Sequence, residues 1–395
     1  MDDLTRWREQ FPILSRSVYM ISNSLGAMPL AAARSLADYA DMWATRGVRA
    51  WEERWWELAG ELGDRVAHII GAPAGSVSMH ENVTTASAVA LSCLRPDGRR
   101  RRIVCTEMDF PSMVYLYRAQ EALGFELKIV SALDDSSVPG DRIAAAIDDR
   151  TSVVALSHVL FRSSYIVDAA PVIERAHQVG ATVILDGYQS AGIIPVDVAT
   201  MGVDFFVGGC LKWLCGGPGN AFLYTAPWIK SERPPALTGW VAHKRPFEFD
   251  IDDGALRDDG MGMMNGTPSI PAYYAALPGL DIINQVGVDR IRAASTSMTA
   301  RLLELVDHYG LTSVASRDPR RLAGTVAVNV PDAKHVSRAL KARDVVVDYR
   351  PGVGVRISPH FYNTMDEVEA VMRELARIAR DKDYDAGSAS GSLVT

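Results

Sequence analysis

The sequence predicts an α/β protein: a largely parallel sheet wrapped in helices, joined to a smaller α+β domain. Three observations carry this. Between residues 76 and 224, short β-rich runs alternate with helical patterns. Those runs are apolar at consecutive positions, as strands covered on both faces must be. Past about residue 270 the pattern changes to longer helices followed by a few short strands.

In chain order the strand candidates of the first part are RIVCT (102–106), ELKIV (126–130), SVVALS (152–157), ATVILD (181–186), VDFFVG (203–208) and AFLYT (221–225). One connection shows the punctuation well. Pro171 can open a helix, VIERAHQV continues it, and Gly180 can end it before the strand that finishes at Asp186. In the second part GTVAVNV, DVVVD and GVRIS are strand candidates, with a helix over 332–342 between the first two. The closing helix starts with Thr364 and Glu367 in capping-box spacing, and Val368, Val371, Met372, Leu375 and Ile378 line one face. The domain organisation expected is a segment 1–20 joining the small domain, a large domain over 21–269, a small domain over 270–382 and a disordered tail over 383–395.

Composition limits the function classes. The chain has 395 residues, 48% hydrophobic and 23% charged, which suits a soluble protein with a large core. A net charge of −7 argues against nucleic acid or an anionic membrane, because the only basic block, RPDGRRRR at 95–102, reads as a turn between elements. The opening MDDLTRWREQF lacks the basic-then-apolar pattern of a signal peptide, and no run of about 18 apolar residues occurs, so a cytoplasmic protein without a membrane span is expected. Cys93, Cys105, Cys210 and Cys215 form neither a CxxC pair nor a cysteine–histidine cluster, which leaves reduced core residues and no metal site.

The chemistry centres on Lys212 in GGCLKWLCGGPG, a lone cation among glycines, cysteines and apolar side chains. In a parallel α/β sheet ligands gather at the carboxyl ends of strands, and Asp186 ends one strand while Lys212 follows another by a few residues. A lysine and a carboxylate on one rim suit pyridoxal 5'-phosphate: the lysine forms a Schiff base with the aldehyde and the aspartate keeps the pyridine nitrogen protonated. An apolar surround lowers the lysine pKa, which favours the nucleophilic amine. The same spacing also fits a loop-capping aspartate and a snorkelling lysine, and spacing alone does not separate the two. A phosphate anchor is available in SVSMHENVTTASAVALSCL, where a helix starts after a polar turn with Thr84 and Thr85 in its first turn, although an ordinary helix cap has the same residues.

Beyond these residues the chain resembles the class V branch of the fold type I pyridoxal-phosphate enzymes, and within it the kynureninases. The likeness runs through YMISNSLGAMP, WATRGVRAW, IIGAPAGSV, DFPS, LSHVLFRSSYIVD, DGYQSAGIIPVDV, KWLCGGPGNAFLY, GWVAHKRPFEFD, NGTPSIPA and RISPHFYNTMDEVE. It implies that Lys212 is the Schiff-base lysine and Asp186 the partner of the pyridine nitrogen. Phe110 would stack on the ring, and Thr84 with the amide of Val83 would hold the phosphate. Trp240 and Thr267 would reach the phosphate from the other subunit of a homodimer with shared sites. Ser157 and Arg162 lie in the block that lines the cleft, and Arg356 would clamp the α-carboxylate of an amino acid substrate with a bidentate guanidinium. Singly, Phe110 and Trp240 also fit core aromatics, Arg356 a strand-edge ion pair and Thr267 a turn before Pro268.

The chain departs from the kynureninase pattern at three polar positions. The tyrosine before the lysine is Leu211, the aspartate after FPS is Met113, and the histidine three residues past the ring-nitrogen aspartate is Gln189. Kynureninase chemistry, hydrolytic Cβ–Cγ cleavage of a kynurenine-type amino acid with Lys212 moving the Cα proton, is the leading expectation. β-Elimination or C–S cleavage, epimerisation and transamination remain beside it. A desulfurase that carries its persulfide on a late loop cysteine is not expected, since no cysteine follows Cys215. His158 and His243 lie in motif blocks that could face substrate. Of the other classes, a nicotinamide-dependent oxidoreductase needs a GxGxxG turn that neither GGPGN nor GVGVR supplies, while a non-catalytic binding or regulatory module that retains the fold stays open, with Lys212, Asp186 and Arg356 together arguing against it.

Overall fold

The computed structural model describes residues 4–230 and 232–385. After a two-residue strand β1 (Val18–Tyr19), seven strands form the main sheet: β2 (Val77–His80), β3 (Arg102–Thr106), β4 (Glu126–Val130), β5 (Thr151–Ser157), β6 (Thr182–Asp186), β7 (Phe205–Gly209) and β8 (Ala221–Thr225). Their order is β2-β8-β7-β6-β5-β3-β4, parallel from β7 to β4.

AFLYT, expected within a largely parallel sheet, is the exception: β8 runs antiparallel to both β7 and β2. The cause is the connection. β7 and β8 are adjacent and joined by residues 210–220, which contain no helix to carry a crossover. Because β2 is reversed against β8 in turn, the carboxyl ends of β2, β3, β5, β6 and β7 all share one rim. Every residue of β2, β6, β7 and β8 is buried, and alternate residues face opposite sides, so both faces are covered there. ELKIV, expected to be covered on both faces, is the edge strand β4, where only Val130 is buried. The helix before β6 spans Ala170–Gln178 with proline in its first turn, and Gly180 follows at φ 73°, a conformation that costs glycine little.

The second sheet has four strands, β9 (Thr312–Ser313), β10 (Val326–Asn329), β12 (Asp348–Arg350) and β13 (Gly354–Ile357), in the order β12-β13-β10-β9 and antiparallel throughout. DVVVD is not one strand: β11 (Val345–Val346) pairs in parallel with β1, and Val347 separates it from β12. The closing helix Met365–Asp381 carries both halves of the expected capping box, and Val368, Val371, Met372, Leu375 and Ile378 are buried.

Two apolar cores result. The larger includes the main sheet and the helix Ile270–Val286, and the smaller gathers the second sheet and the helices around it. The change from one to the other falls inside the helix Val288–His308, where Ile291 belongs to the larger core and Met298 to the smaller. Near the start, Arg8 pairs with Glu367 at 2.7 Å and β1 pairs with β11 in a separate two-stranded sheet, which ties the first segment to the closing helix and to β11. All four cysteines are free thiols in the core. Among the described residues no helix is long and apolar enough to cross a membrane, and no histidine, cysteine or carboxylate cluster could hold a metal ion. Asp383 still bonds Arg343 and Tyr384 bonds Asp332; the rest of the tail expected to be disordered, 386–395, lies outside the described residues.

Candidate active site

The rim of the main sheet brings six of the sequence-selected residues, Val83, Phe110, Ser157, Asp186, Gln189 and Lys212, around one cavity of about 180 Å³. They arrive from five strand ends, Asp186 and Gln189 both from that of β6. Val83 opens the helix Val83–Ser92 after β2, Phe110 precedes the helix Pro111–Ala119 after β3, and Ser157 and Asp186 are Cα partners at the ends of β5 and β6. Lys212 follows β7.

Asp109 fixes this arrangement from below. Its carboxylate accepts the Thr106 N–H at 2.7 Å and the Ser157 N–H at 2.6 Å, so one buried side chain ties the ends of β3 and β5 and sets the neighbouring Phe110 at the cavity. Burial pushes the Asp109 carboxyl up, and the two amide bonds pull it back.

The two groups proposed for chemistry are both displaced toward neutrality. Burial pushes Asp186 up to about 6, against the Tyr188 N–H that donates to its Oδ1 at 2.8 Å and the nearby Lys212 charge. Lys212 is only partly exposed, and its amine is pushed down to about 7, chiefly by burial and next by the guanidinium of Arg356, with Asp186 pulling the other way. Such an amine is substantially neutral at physiological pH and can act as nucleophile and base.

Thr84 lies in the first turn of the helix Val83–Ser92. Asn82 caps that helix, its Oδ1 accepting the Thr85 N–H at 2.9 Å, while the amides of Val83 and Thr84 precede the first intrahelical bonds and are free to meet an anion. Gln189 is held at both ends: it donates to the Asn23 carbonyl at 2.9 Å and accepts the Trp213 indole N–H at 3.0 Å. Of the other departures from the kynureninase pattern, Leu211 lines the cavity, and Met113 is buried in the helix after Phe110.

Five further expectations fall outside the cavity. Trp240 packs with Trp56, Phe247 and Phe249, and Thr267 is exposed on the loop before the helix Ile270–Val286; neither lines the cavity within this chain. Arg162 is exposed, its guanidinium 5.8 Å from the Phe161 ring. His158 is buried beyond the lining residues, and His243 bonds the Asp253 carbonyl.

Arg356 is buried and largely engaged. Its Nε donates to Asp348 Oδ1 at 2.8 Å, Nη2 pairs with Asp348 Oδ2 and meets Ser24 Oγ at 3.1 Å, and Nη1 donates to the Phe161 carbonyl at 2.6 Å. Burial alone would raise the Asp348 carboxyl; the Arg356 guanidinium overrides this and holds it below the usual range. The pair is therefore ionic, and one N–H of Nη1 remains for a further acceptor.

The residues that sequence reasoning missed are Val159, Phe161 and Tyr188 in the cavity wall and Asp109 beneath it. Asp109 and Tyr188 each stood beside a selected residue, within DFPS and DGYQ. Phe161 meets Phe110 edge to face at 5.2 Å, a contact that no spacing rule announces.

The set fits pyridoxal phosphate on its own geometry: a buried carboxylate in the wall, an amine of low proton affinity, a phenyl face, and free amides at a helix start. The model of the class-V aminotransferases matches residues 18–371. The chain belongs to the class-V aminotransferase family. It is a pyridoxal-phosphate-dependent enzyme. Among curated proteins, the kynureninase of Shouchella clausii is 30% identical over 97% of this chain and 93% of that one, and the kynureninase of Pseudomonas fluorescens 30% identical over 97% and 94%. An uncharacterized aminotransferase of Bacillus subtilis, YcbU, is 29% identical over 94% and 97%. Among solved structures, a cysteine desulfurase from Thermococcus onnurineus superposes with TM-score 0.84 at 21% identity over 95% of this chain and 98% of that one. A C-DES variant with glycine covalently linked to its pyridoxal-phosphate cofactor gives TM-score 0.84 at 19% identity over 93% and 98%. Those structural likenesses carry the fold, which is that of the fold type I enzymes.

Proposed function

We propose that this class-V enzyme hydrolyses the Cβ–Cγ bond of a kynurenine-type amino acid, as a homodimer in the cytoplasm. The observation that carries the reading is the placement of an amine at about 7 and a carboxyl at about 6 in one aromatic-walled cavity. The two kynureninases, similar over almost the whole chain, supply the substrate class.

The roles follow from position. Lys212 would hold the cofactor aldehyde and Asp186 its ring nitrogen, with Phe110 against the ring, Ser157 and Gln189 beside it, and Thr84 with the Val83 amide on the phosphate. Trp240 and Thr267 would complete the phosphate end of the partner's site. Bound pyridoxal phosphate supplies an electron sink for the pair left when a bond to Cα breaks. Arg356 would take one oxygen of the substrate carboxylate on the remaining Nη1 N–H, which aims the Cα–H at Lys212. Lys212, neutral in a large fraction at pH 7, accepts that proton and returns one to the product carbon. Val159, Phe161 and Leu211 keep bulk water from the cavity and offer an apolar wall to an aromatic side chain. Overall, L-kynurenine and one water give anthranilate and alanine.

A second reading, a class-V β-lyase or C–S lyase, an epimerase or an aminotransferase, is favoured by the loss of polar groups at Leu211 and Met113 and by the neutral, doubly held Gln189. The test is the holoprotein with L-kynurenine, read by mass spectrometry. Anthranilate and alanine in equal amounts support hydrolysis. Full cofactor occupancy without anthranilate contradicts it, and a screen of cystine, other L-amino acids and 2-oxo acids then identifies the reaction.

A further inference from the structure

We propose that Tyr188 is a positioning residue whose ring seats the free amine of Lys212, holding it at the cavity beside Asp186 whenever it is not bonded to cofactor. This rests on Lys212 being the cofactor lysine.

The geometry is specific. The Lys212 Nζ lies 4.4 Å from the centroid of the Tyr188 ring, against 5.9 Å from that of Phe110, so Tyr188 provides the nearer aromatic face. A ring face at this distance attracts an ammonium through its quadrupole, and more strongly where water is excluded. The ring is itself fixed. The Tyr188 N–H donates to Asp186 Oδ1 at 2.8 Å, and the side chain lies on the bare backbone of Gly209, where an added Cβ would stand 2.3 Å from Cε2 and 2.8 Å from the hydroxyl oxygen. Gly209 ends β7 three residues before Lys212, so one strand end provides both the amine and the socket for the ring under it.

The ring acts against other charges. Burial and the guanidinium groups of Arg356 and Arg350 favour the neutral amine, and Asp186 and Asp348 favour the ammonium. Tyr188 adds to the second group without adding a charge. Removing the face while keeping apolar bulk therefore makes the amine easier to deprotonate, and the sign of the effect is fixed.

The experiment follows capture of pyridoxal phosphate by the cofactor-stripped protein across pH, read by absorbance, since only the neutral amine attacks the aldehyde. Tyr188→Leu should move the midpoint of the capture profile down by about 0.4–1.5 pH units, while Tyr188→Phe keeps the wild-type midpoint. Gly209→Ala, which displaces the ring without altering it, should move the midpoint in the same direction and serves if the leucine variant does not fold. A wild-type midpoint in Tyr188→Leu or Gly209→Ala, or an equal shift in Tyr188→Phe, overturns the proposal. Capture by Lys212→Ala at the wild-type rate would instead overturn the assignment of the lysine.

Discussion

The guanidinium of Arg356 and the carboxylate of Asp348 meet edge to edge between neighbouring strands, with side-chain exposures of 2% and 0%. Ser24 from the N-terminal segment joins the pair, donating to Asp348 Oδ2 at 2.6 Å, and the Phe161 carbonyl from the large sheet's rim caps Nη1. The residue expected to clamp substrate is thus also the junction of three parts of the chain.

Two effects of removing Arg356 follow and can be separated. Arg356→Ala leaves the buried Asp348 carboxylate only the Arg350 guanidinium, at 3.4 Å, and costs up to about 3–5 kcal/mol. The double variant Arg356→Ala, Asp348→Ala removes both charges and should recover much of that loss in denaturant unfolding. Both should bind amino acids weakly while the holoprotein's visible band persists. Equal stability of the two would contradict the pairing, and unchanged amino acid affinity would contradict the clamp.

Asp186 stores a pH-dependent cost. Its folded value of about 6 lies above the unfolded value of about 3.9, so its contribution to stability is greatest below pH 4 and falls as pH rises through 6. Asp186→Asn keeps an acceptor for the Tyr188 N–H but cannot ionise. The cofactor-free variant should be more stable than wild type at pH 7 by about 1–3 kcal/mol, with the gain gone near pH 4. Turnover should fall roughly 10²–10³-fold, as when one preorganised electrostatic partner is lost. A gain that is independent of pH would refute the buried, ionising carboxylate.

Gln189→Ala removes the acceptor of the Trp213 indole, a side chain buried to 1% exposure. The orphaned donor should cost about 1–3 kcal/mol in thermal or denaturant unfolding. Cofactor capture should survive, because Lys212, Asp186 and the free helix amides are untouched. Unchanged stability would mean that the indole finds another partner.

The inner strands of the main sheet were legible because burial on both faces writes a run of apolar residues, and the capping box because Thr364 and Glu367 are local. Lys212 and Asp186 were legible because strand ends share a rim. The direction of β8 was not, since an apolar run looks the same either way and only the helix-free connection decides it. Nor were the buried pair Arg356–Asp348 and the Tyr188 ring beneath Lys212: both depend on which side chains meet across sheets and strand ends, and neither leaves a periodic trace. Trp240 and Thr267 came from resemblance alone, and within one chain they lie away from the cavity.

The most direct measurement is borohydride reduction of the protein loaded with pyridoxal phosphate, followed by peptide mass spectrometry, with Lys212→Ala in parallel. The expected result is a visible band in the loaded wild type, a reduced pyridoxyl group on the peptide that contains Lys212, and neither in the variant. A label on another lysine, or the same band in Lys212→Ala, would contradict it.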